Sequence, residues 1–364
     1  MRLFLAILLP LLSIQVYALD WQGHRGARGL YPENTIGAME EALKYPVSTL
    51  ELDVVLSKKL EIIVSHEPWM SDEICLDSNG KKFKGKIHNI FKMTYEEISK
   101  FDCGSKPHPR FPAQKKVSTG KPTLEKLLEV TEATLKQLNR TSVGYNIEIK
   151  STPEDEQAGF QPNVKIFSDT VIKFLLSKLP SSRFTIQSFD WRVLNYIHST
   201  YPDIRLVALT EKKVQPEKNL KALGFNPYVF SPYYKELKKD HIVYFKDKGI
   251  KVIPWTVNEV SDMEAMVSLD VDGIITDYPD RILQVGQRKC KENENLFEGD
   301  CVSIPKNALP SDTNPGWICK PGYNQIRSHC SKIDIPKNAI LLPDGKTWEC
   351  KEGYVRYRTK CKRK

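Results

Sequence analysis

Glu51 and Asp53 stand two residues apart in Thr49-Leu-Glu-Leu-Asp-Val54. Side chains on a β-strand alternate between faces, so the two acids share one face and Leu50 and Leu52 take the other. Glu148, in Tyr145-Asn-Ile-Glu-Ile-Lys150, alternates with apolar neighbours in the same way. Carboxylates gathered on inward strand faces are costly to bury without a compensating cation. An all-oxygen donor set suits one hard divalent cation, Mg2+ or Ca2+. The competing reading is a set of buried ion pairs with Arg25 and Lys150.

Imidazoles and fixed cations flank these acids. His24 ends the β-rich run Trp21–His24, and His66 ends the run Glu61–His66. Beside a metal and a phosphate, two histidines can move protons near neutral pH, one as general base and one as general acid. Arg25 can grip a phosphate with two N–H groups, and Lys150 can act as a point charge. Gly23, Gly26 and Gly29 would let backbone approach a ligand. His88, His108, His198, His241 and His329 lie in no comparable pattern and read as surface or loop residues.

Holding these groups together calls for a repetitive scaffold. β-rich runs occur at Trp21–His24, Thr49–Val55, Tyr145–Lys150, Phe184–Ser188, Arg205–Leu209, Tyr228–Ser231, Val252–Val257 and Gly273–Thr276. Helical patterns at Glu33–Leu43, Lys121–Gln137, Asn163–Leu179 and Val260–Leu269 lie between many of them. Several runs are continuously apolar, as strands buried on both faces are. The alternation predicts an α/β fold, a TIM-type (β/α)8 barrel, with a doubly wound open sheet as the alternative. Only residues 56–60 separate Glu61–His66 from the strand before it. A parallel crossover needs a dozen or more residues, so this extra strand must return antiparallel through a turn near Lys58-Lys59. The hairpin then carries His66 back beside Glu51 and Asp53. Residues 67–120 are polar and rich in Lys, Gly and Pro. They read as an insertion bordering the pocket at the C-terminal face of the barrel.

The chain has 364 residues, 40% of them hydrophobic, enough for one large core and a small second unit. Arg2 precedes the apolar run Leu3–Ile14, and Val16 and Ala18 offer small residues before a cut after Ala18. Residues 1–18 therefore read as a signal peptide, and the mature protein as secreted, extracellular or periplasmic. Export permits disulfides. Six of the eight cysteines fall in the last 75 residues, which separates a barrel at 19–287 from a cysteine-rich tail at 288–364. Within the tail, Ile304-Pro-Lys-Asn-Ala308 recurs as Ile335-Pro-Lys-Asn-Ala339, and Trp317-Ile-Cys-Lys-Pro-Gly-Tyr323 as Trp348-Glu-Cys-Lys-Glu-Gly-Tyr354, a 31-residue period. So short a unit cannot build a core alone and must be stapled. The repeat predicts Cys290–Cys301, Cys319–Cys330 and Cys350–Cys361, with Gly322 and Gly353 at the turns that fold each segment back. Structural zinc sites use closer spacing. Cys75 and Cys103, the only cysteines outside the tail, are expected to pair and close the insertion. The net charge of +9 favours anionic partners, and no nucleic-acid-binding signature is present. The basic end Arg356–Lys364 and the tail aromatics suit contact with an anionic or carbohydrate surface. Asn139-Arg-Thr141 is a glycosylation sequon, relevant in a eukaryotic secretory path.

The segment His24-Arg-Gly-Ala-Arg-Gly-Leu-Tyr-Pro-Glu-Asn-Thr35 resembles the opening signature of the glycerophosphodiester phosphodiesterase family. The likeness continues through Glu51-Leu-Asp53, His66, Glu148-Ile-Lys150, Gln187-Ser-Phe189, Trp255-Thr-Val-Asn258 and Asp272-Gly-Ile-Ile-Thr-Asp-Tyr-Pro279, over roughly residues 20–285. The resemblance implies a TIM barrel with one divalent cation held by Glu51, Asp53 and Glu148. It implies His24 and His66 as the catalytic pair and Arg25 and Lys150 as phosphate contacts. Glu33, Asn34 and Gln187 fall in site-shaping segments, and Trp255 matches an aromatic near the glycerol end. Glu67 departs from the Asp that many members carry there, and the tail lies outside the family pattern.

The resemblance further implies hydrolysis of a small glycerophosphodiester to glycerol phosphate and an alcohol. By analogy with related barrel phospholipases, His24 is the base and His66 the acid. One rival is a phospholipase D-like enzyme acting on lysophospholipid or sphingomyelin on the same barrel. The other is a non-catalytic binding protein acting through its tail, which the intact motifs disfavour.

Overall fold

The computed structural model describes residues 19–286, 293–297, 300–311 and 315–364. The expected signal peptide and Cys290 of the expected Cys290–Cys301 pair lie outside the described residues. The chain forms two compact units, one running to Val285 and one from Gly286. Among the described residues, no helix is long and apolar enough to cross a membrane.

The first unit is built on β1 (Asp20–Gly23), β2 (Thr49–Leu56), β3 (Ile62–Val64), β4 (Gly144–Ile149), β5 (Phe184–Ser188), β6 (Leu206–Thr210), β7 (Val229–Pro232), β8 (Lys251–Val252) and β9 (Gly273–Thr276). With β3 set aside, neighbours pair in parallel in the order β8-β7-β6-β5-β4-β2-β1-β9. Between β8 and β9 the ring closes through loop backbone. Asp272 N donates to Val252 O at 2.9 Å, Ile275 N to Pro254 O at 3.0 Å and Val257 N to Ile275 O at 2.9 Å. The architecture is the TIM barrel. The sequence pattern runs β8 on to Val257. The strand stops at Val252 instead, because Pro254 has no N–H to give a ladder.

Strand β3 returns antiparallel on β2, with Val54 opposite Val64 and Leu56 opposite Ile62. Helices pack outside the ring on Leu50, Leu52 and Val54, all sealed from solvent. Each such side chain contributes about 1.5–3 kcal/mol of transfer free energy. This outer shell lets the lumen carry charge. On one side of the ring Val207, Val229, Ile253 and Ile275 form a small apolar cluster. On the other side Gln22, Glu51, Asp53, Asn146, Glu148 and Gln187 are all buried.

Two helices begin later than the pattern predicts. The first runs Ile36–Ala42 because Asn34 lies at φ +57 and Thr35 caps the helix by accepting from Ala38 N. Another runs Leu124–Gln137. Pro122 keeps Lys121 out of helical backbone, and the Thr123 side chain accepts from Lys126 N.

Residues 67–120 have a core of their own, in which Met70, Ile74, Ile90, Ile98 and Phe101 pack with Val55 and Ile63. Cys75 and Cys103 are bonded inside it. The second unit is a string of antiparallel hairpins. Strands Ala308–Pro310 and Trp317–Cys319 pair, as do Tyr323–Ile326 and His329–Lys332, and the pattern returns in Ala339–Leu341 with Trp348–Cys350 and Tyr354–Tyr357 with Lys360–Arg363. Cys319–Cys330 and Cys350–Cys361 are bonded. Gly322 (φ +87) and Gly353 (φ +83) join successive hairpins. The tight turns that fold each segment back carry Arg327 and Arg358 at positive φ, so the glycines link hairpins and do not form their turns.

Candidate active site

Strand register brings the three acids together. Asp53 pairs with Glu148 across β2 and β4, and Glu148 with Gln187 across β4 and β5. One carboxylate oxygen from each of Glu51, Asp53 and Glu148 lies within 4.8 Å of the others. The cluster is short of positive charge. Arg25 Nε stands 3.2 Å from Asp53 Oδ2 but gives Nη1 to Glu33 at 2.7 Å. Lys150 Nζ bonds Glu148 at 2.8 Å. Asp53 Oδ1 is buried with no hydrogen-bond partner. Burial, with Asp53 and Glu148 nearby, pushes Glu51 well above the usual carboxylate range. Burial also lifts Glu148 to about 7, with Lys150 opposing and Asp53 adding to the rise. For Asp53 burial acts the same way and is the largest single influence, but Arg25, His66, Lys150 and the Asn34 hydrogen bond together outweigh it and hold the acid down. Acids so crowded, with an oxygen left over, fit a hard cation better than ion pairing alone.

The loop after β1 shapes the cluster from one side. Arg25 is at φ +50, and its N–H donates to Glu51 Oε2 at 2.8 Å. Asn34 donates from Nδ2 to Asp53 Oδ2 at 2.8 Å and accepts Asp53 N at Oδ1. Glu33 pairs with both Arg25 and Arg28. These cations and His108 overcome burial and hold Glu33 well below its ordinary range. The glycines here serve the chain's own packing and are not openings for a ligand. A Cβ on Gly26 would lie 2.5 Å from the Ala38 backbone, and one on Gly29 would lie 2.4 Å from the Tyr278 ring.

Each histidine of the site has one ring nitrogen on a carboxylate. His24 Nδ1 is 2.6 Å from Asp277 Oδ1, and Asp277 is itself held by Asn258 Nδ2 at 2.8 Å. His24 Nε2 is 3.9 Å from Glu51 Oε2. His66 Nδ1 is 2.8 Å from Glu67 Oε1, and its Nε2 is 3.0 Å from Lys150 Nζ. Burial lowers both imidazoles; Asp277 opposes this at His24, whereas Arg25 and Lys150 add to it at His66. Against burial, His24 and Arg28 bring Asp277 down to about 2, and His66 brings Glu67 down to about 2.

Trp255 sits at the rim with Nε1 donating to Ser231 O at 3.0 Å. Its ring meets Phe189 at 5.3 Å, and Lys150 Nζ lies 5.6 Å from the Phe189 ring. Gln187 lies beneath, with Nε2 donating to Glu51 Oε1 at 2.7 Å.

Sequence reasoning missed four contributors. Asp277 and Asn258 fall within segments that resemble the family, but nothing in their local spacing assigns them a role. His108, read as a surface or loop residue, is 4% exposed, with Nε2 3.7 Å from Glu33 Oε2. It is carried inward by the insertion, which also bonds the β1 loop through Gln114 Nε2 to Arg28 O at 2.7 Å. Lys121 is also buried, and burial lowers its pKa despite Glu67 and Glu33. No local pattern marked His108 or Lys121.

The sequence model described as the glycerophosphoryl diester phosphodiesterase family matches residues 24–281. The chain belongs to this family. A glycerophosphodiester phosphodiesterase of Bacillus subtilis is 31% identical over 263 residues, covering 71% of this chain and 83% of that one. Another from Caldanaerobacter subterraneus is 28% identical over 262 residues, covering 72% and 95%. A family structure from Silicibacter pomeroyi superposes with a TM-score of 0.66 at 26% identity, covering 74% of this chain and 93% of that chain. The family and its curated members make this chain an enzyme, a phosphoric diester hydrolase of the glycerophosphodiester phosphodiesterase class.

Proposed function

We propose that the barrel hydrolyses small glycerophosphodiesters with a divalent cation, using His24 and His66 as a proton-transfer pair. One observation carries this: two imidazoles, each with Nδ1 on a carboxylate, flank the acid cluster, His24 with Nε2 3.9 Å from Glu51 Oε2 and His66 with Nε2 3.0 Å from Lys150 Nζ, which itself bonds Glu148. A divalent cation on Glu51, Asp53 and Glu148 supplies polarisation of the phosphoryl oxygens and offsets charge that builds there. His24, kept neutral by burial and oriented by Asp277, accepts the nucleophile's proton at Nε2. The new phosphorus–oxygen bond forms as the bond to the leaving alcohol breaks, and the protonated fraction of His66, with Nδ1–H on Glu67, gives its Nε2 proton to the departing oxygen. Arg25 and Lys150 stand where fixed positive charge favours the phosphate.

The nucleophile is water or the substrate's own glycerol 2-hydroxyl. Transient cyclic glycerol phosphate in the product mixture marks the second route, and its absence at early times marks the first. Glycerophosphocholine assayed beside lysophosphatidylcholine separates a glycerophosphodiesterase from a lysophospholipase D. Turnover of lysophosphatidylcholine alone would overturn the proposed substrate class. The apolar Leu3–Ile14 run and the bonded cysteines support a secreted location. N-terminal sequencing of the exported protein tests it, and a mature chain retaining Met1 would refute it.

A further inference from the structure

A chain of buried side-chain hydrogen bonds runs from the acid cluster to the opposite end of the barrel. At that far end Asp20 accepts from Ser48 Oγ at 2.6 Å, Thr49 Oγ1 at 2.8 Å and Gln22 Nε2 at 2.8 Å. Asn146 Nδ2 donates to Gln22 Oε1 at 2.9 Å and to Gln187 Oε1 at 3.0 Å. Asn146 Oδ1 accepts from Thr185 Oγ1 at 2.8 Å. Gln187 Nε2 then donates to Glu51 Oε1 at 2.7 Å. Gln22, Asn146, Gln187 and Glu51 are at most 3% exposed.

The direction of these bonds is determined by their ends. A primary amide can be turned end for end, exchanging donor and acceptor, whereas a carboxylate that holds a cation is ionised and only accepts. Asp20 claims the amino end of Gln22, which turns its oxygen toward Asn146. Glu51 claims the amino end of Gln187, which also turns its oxygen toward Asn146. The Asn146 amino group meets both oxygens, and Thr185 occupies its carbonyl. Turning any one amide sets oxygen against oxygen or nitrogen against nitrogen in a buried place, so a single arrangement survives.

We propose that Gln22 and Asn146 are positioning residues for Glu51, acting through Gln187 to hold that carboxylate in the orientation a cation requires. The proposal rests on Glu51 being a cation ligand. The side-chain hydrogen bonds of Gln22 and Asn146 go to Asp20, to each other, to Gln187 and to Thr185 and not to the three acids, although Asn146 stands opposite Glu51 in the β2–β4 register. Their effect is to stop the Gln187 amide from turning and so keep its N–H on Glu51 Oε1. Groups one step behind metal ligands commonly alter affinity by about 10–100-fold.

The test uses the full chain, stripped of metal by chelator and dialysis. Ca2+ and Mg2+ are titrated separately by calorimetry into wild type, Gln187→Met, Asn146→Leu and Gln22→Leu. Dissociation constants should rise about 10–100-fold, most for Gln187→Met and least for Gln22→Leu, for whichever cation the wild type binds. Melting in chelator is measured alongside, because a merely structural role would lower that temperature and leave the affinity of folded protein alone. Wild-type affinity in both Asn146→Leu and Gln22→Leu overturns the positioning role. A wild-type chain that binds neither cation overturns the reading of Glu51, and this proposal with it. If Asn146→Leu does not fold, Gln22→Leu at the far end of the chain decides the question.

Discussion

The barrel and the repeat tail oppose chain entropy by different means. In the barrel, Leu50, Leu52, Ile147 and Ile186 are wholly buried in one continuous apolar cluster. In the tail, among the described residues, the buried cluster is Ala308, Trp317 and Cys330, and bonded cysteines tie the hairpins together in two consecutive pairs. Leu309, Ile318, Ile340 and Tyr357 remain exposed there. A large apolar shell can tolerate a lumen crowded with acids and amides; a stapled hairpin has no interior in which to hide charge. The buried ionisable groups accordingly concentrate in the first unit, and the second presents side chains to its surroundings.

That contrast can be broken most sharply at the acids. Excess chelator should abolish activity, with Mg2+ or Ca2+ restoring it, and Glu148→Gln should fold but lose tight cation binding. Full turnover in chelator, once slow metal release is excluded, would mean that the barrel's charged lumen is only structural. At the histidines, His24→Ala and His66→Ala should each lower kcat by ~10²–10⁴-fold. Their Tm should stay close to wild type, because the apolar shell outside the ring carries the fold. Near-normal turnover of either variant would remove it from the proton-transfer pair.

A smaller effect is expected in the insertion, where barrel and tail strategies meet. Replacing Cys75 and Cys103 by Ser should cost about 3–4 kcal/mol by chain entropy, read as a lower midpoint in urea. Asp102, held down to about 2 against burial by Ser105 and Gly104 donors, adds a pH dependence. Its folded pKa lies below the unfolded one, so its stabilisation is present above the ordinary carboxylate value and lost as pH falls toward about 2. Asp102→Asn should flatten that part of the acid stability profile; an unchanged profile would show that other acids control it.

The least effect on catalysis is expected from the tail. Truncation after Val285 should leave turnover of glycerophosphocholine within about twofold, while reduction should melt hairpins worth about 3 kcal/mol per bridge in the chain-entropy picture. A truncated barrel that folds but is inactive would join the two units into one functional site.

Much of the scaffold was legible because it rests on local periodicity. Period-two alternation alone places Glu51 with Asp53 and sets Glu148 among apolar neighbours. The five residues before Glu61 force an antiparallel return, and the structure places β3 on β2 in that sense. The 31-residue repeat is visible without any coordinates. What only the tertiary structure decided are the partners supplied from far along the chain. Asp277 meets His24 from 253 residues away because the ring closes β9 on β1. His108 reaches Glu33 because the insertion folds back over the β1 loop, although its own sequence reads as a polar connection. Gln22 and Asn146 look like isolated polar residues in apolar strands until parallel register stacks them into one lumen. A periodic pattern reports which face a side chain takes; what it meets there depends on ring closure and loop path, which no local window contains.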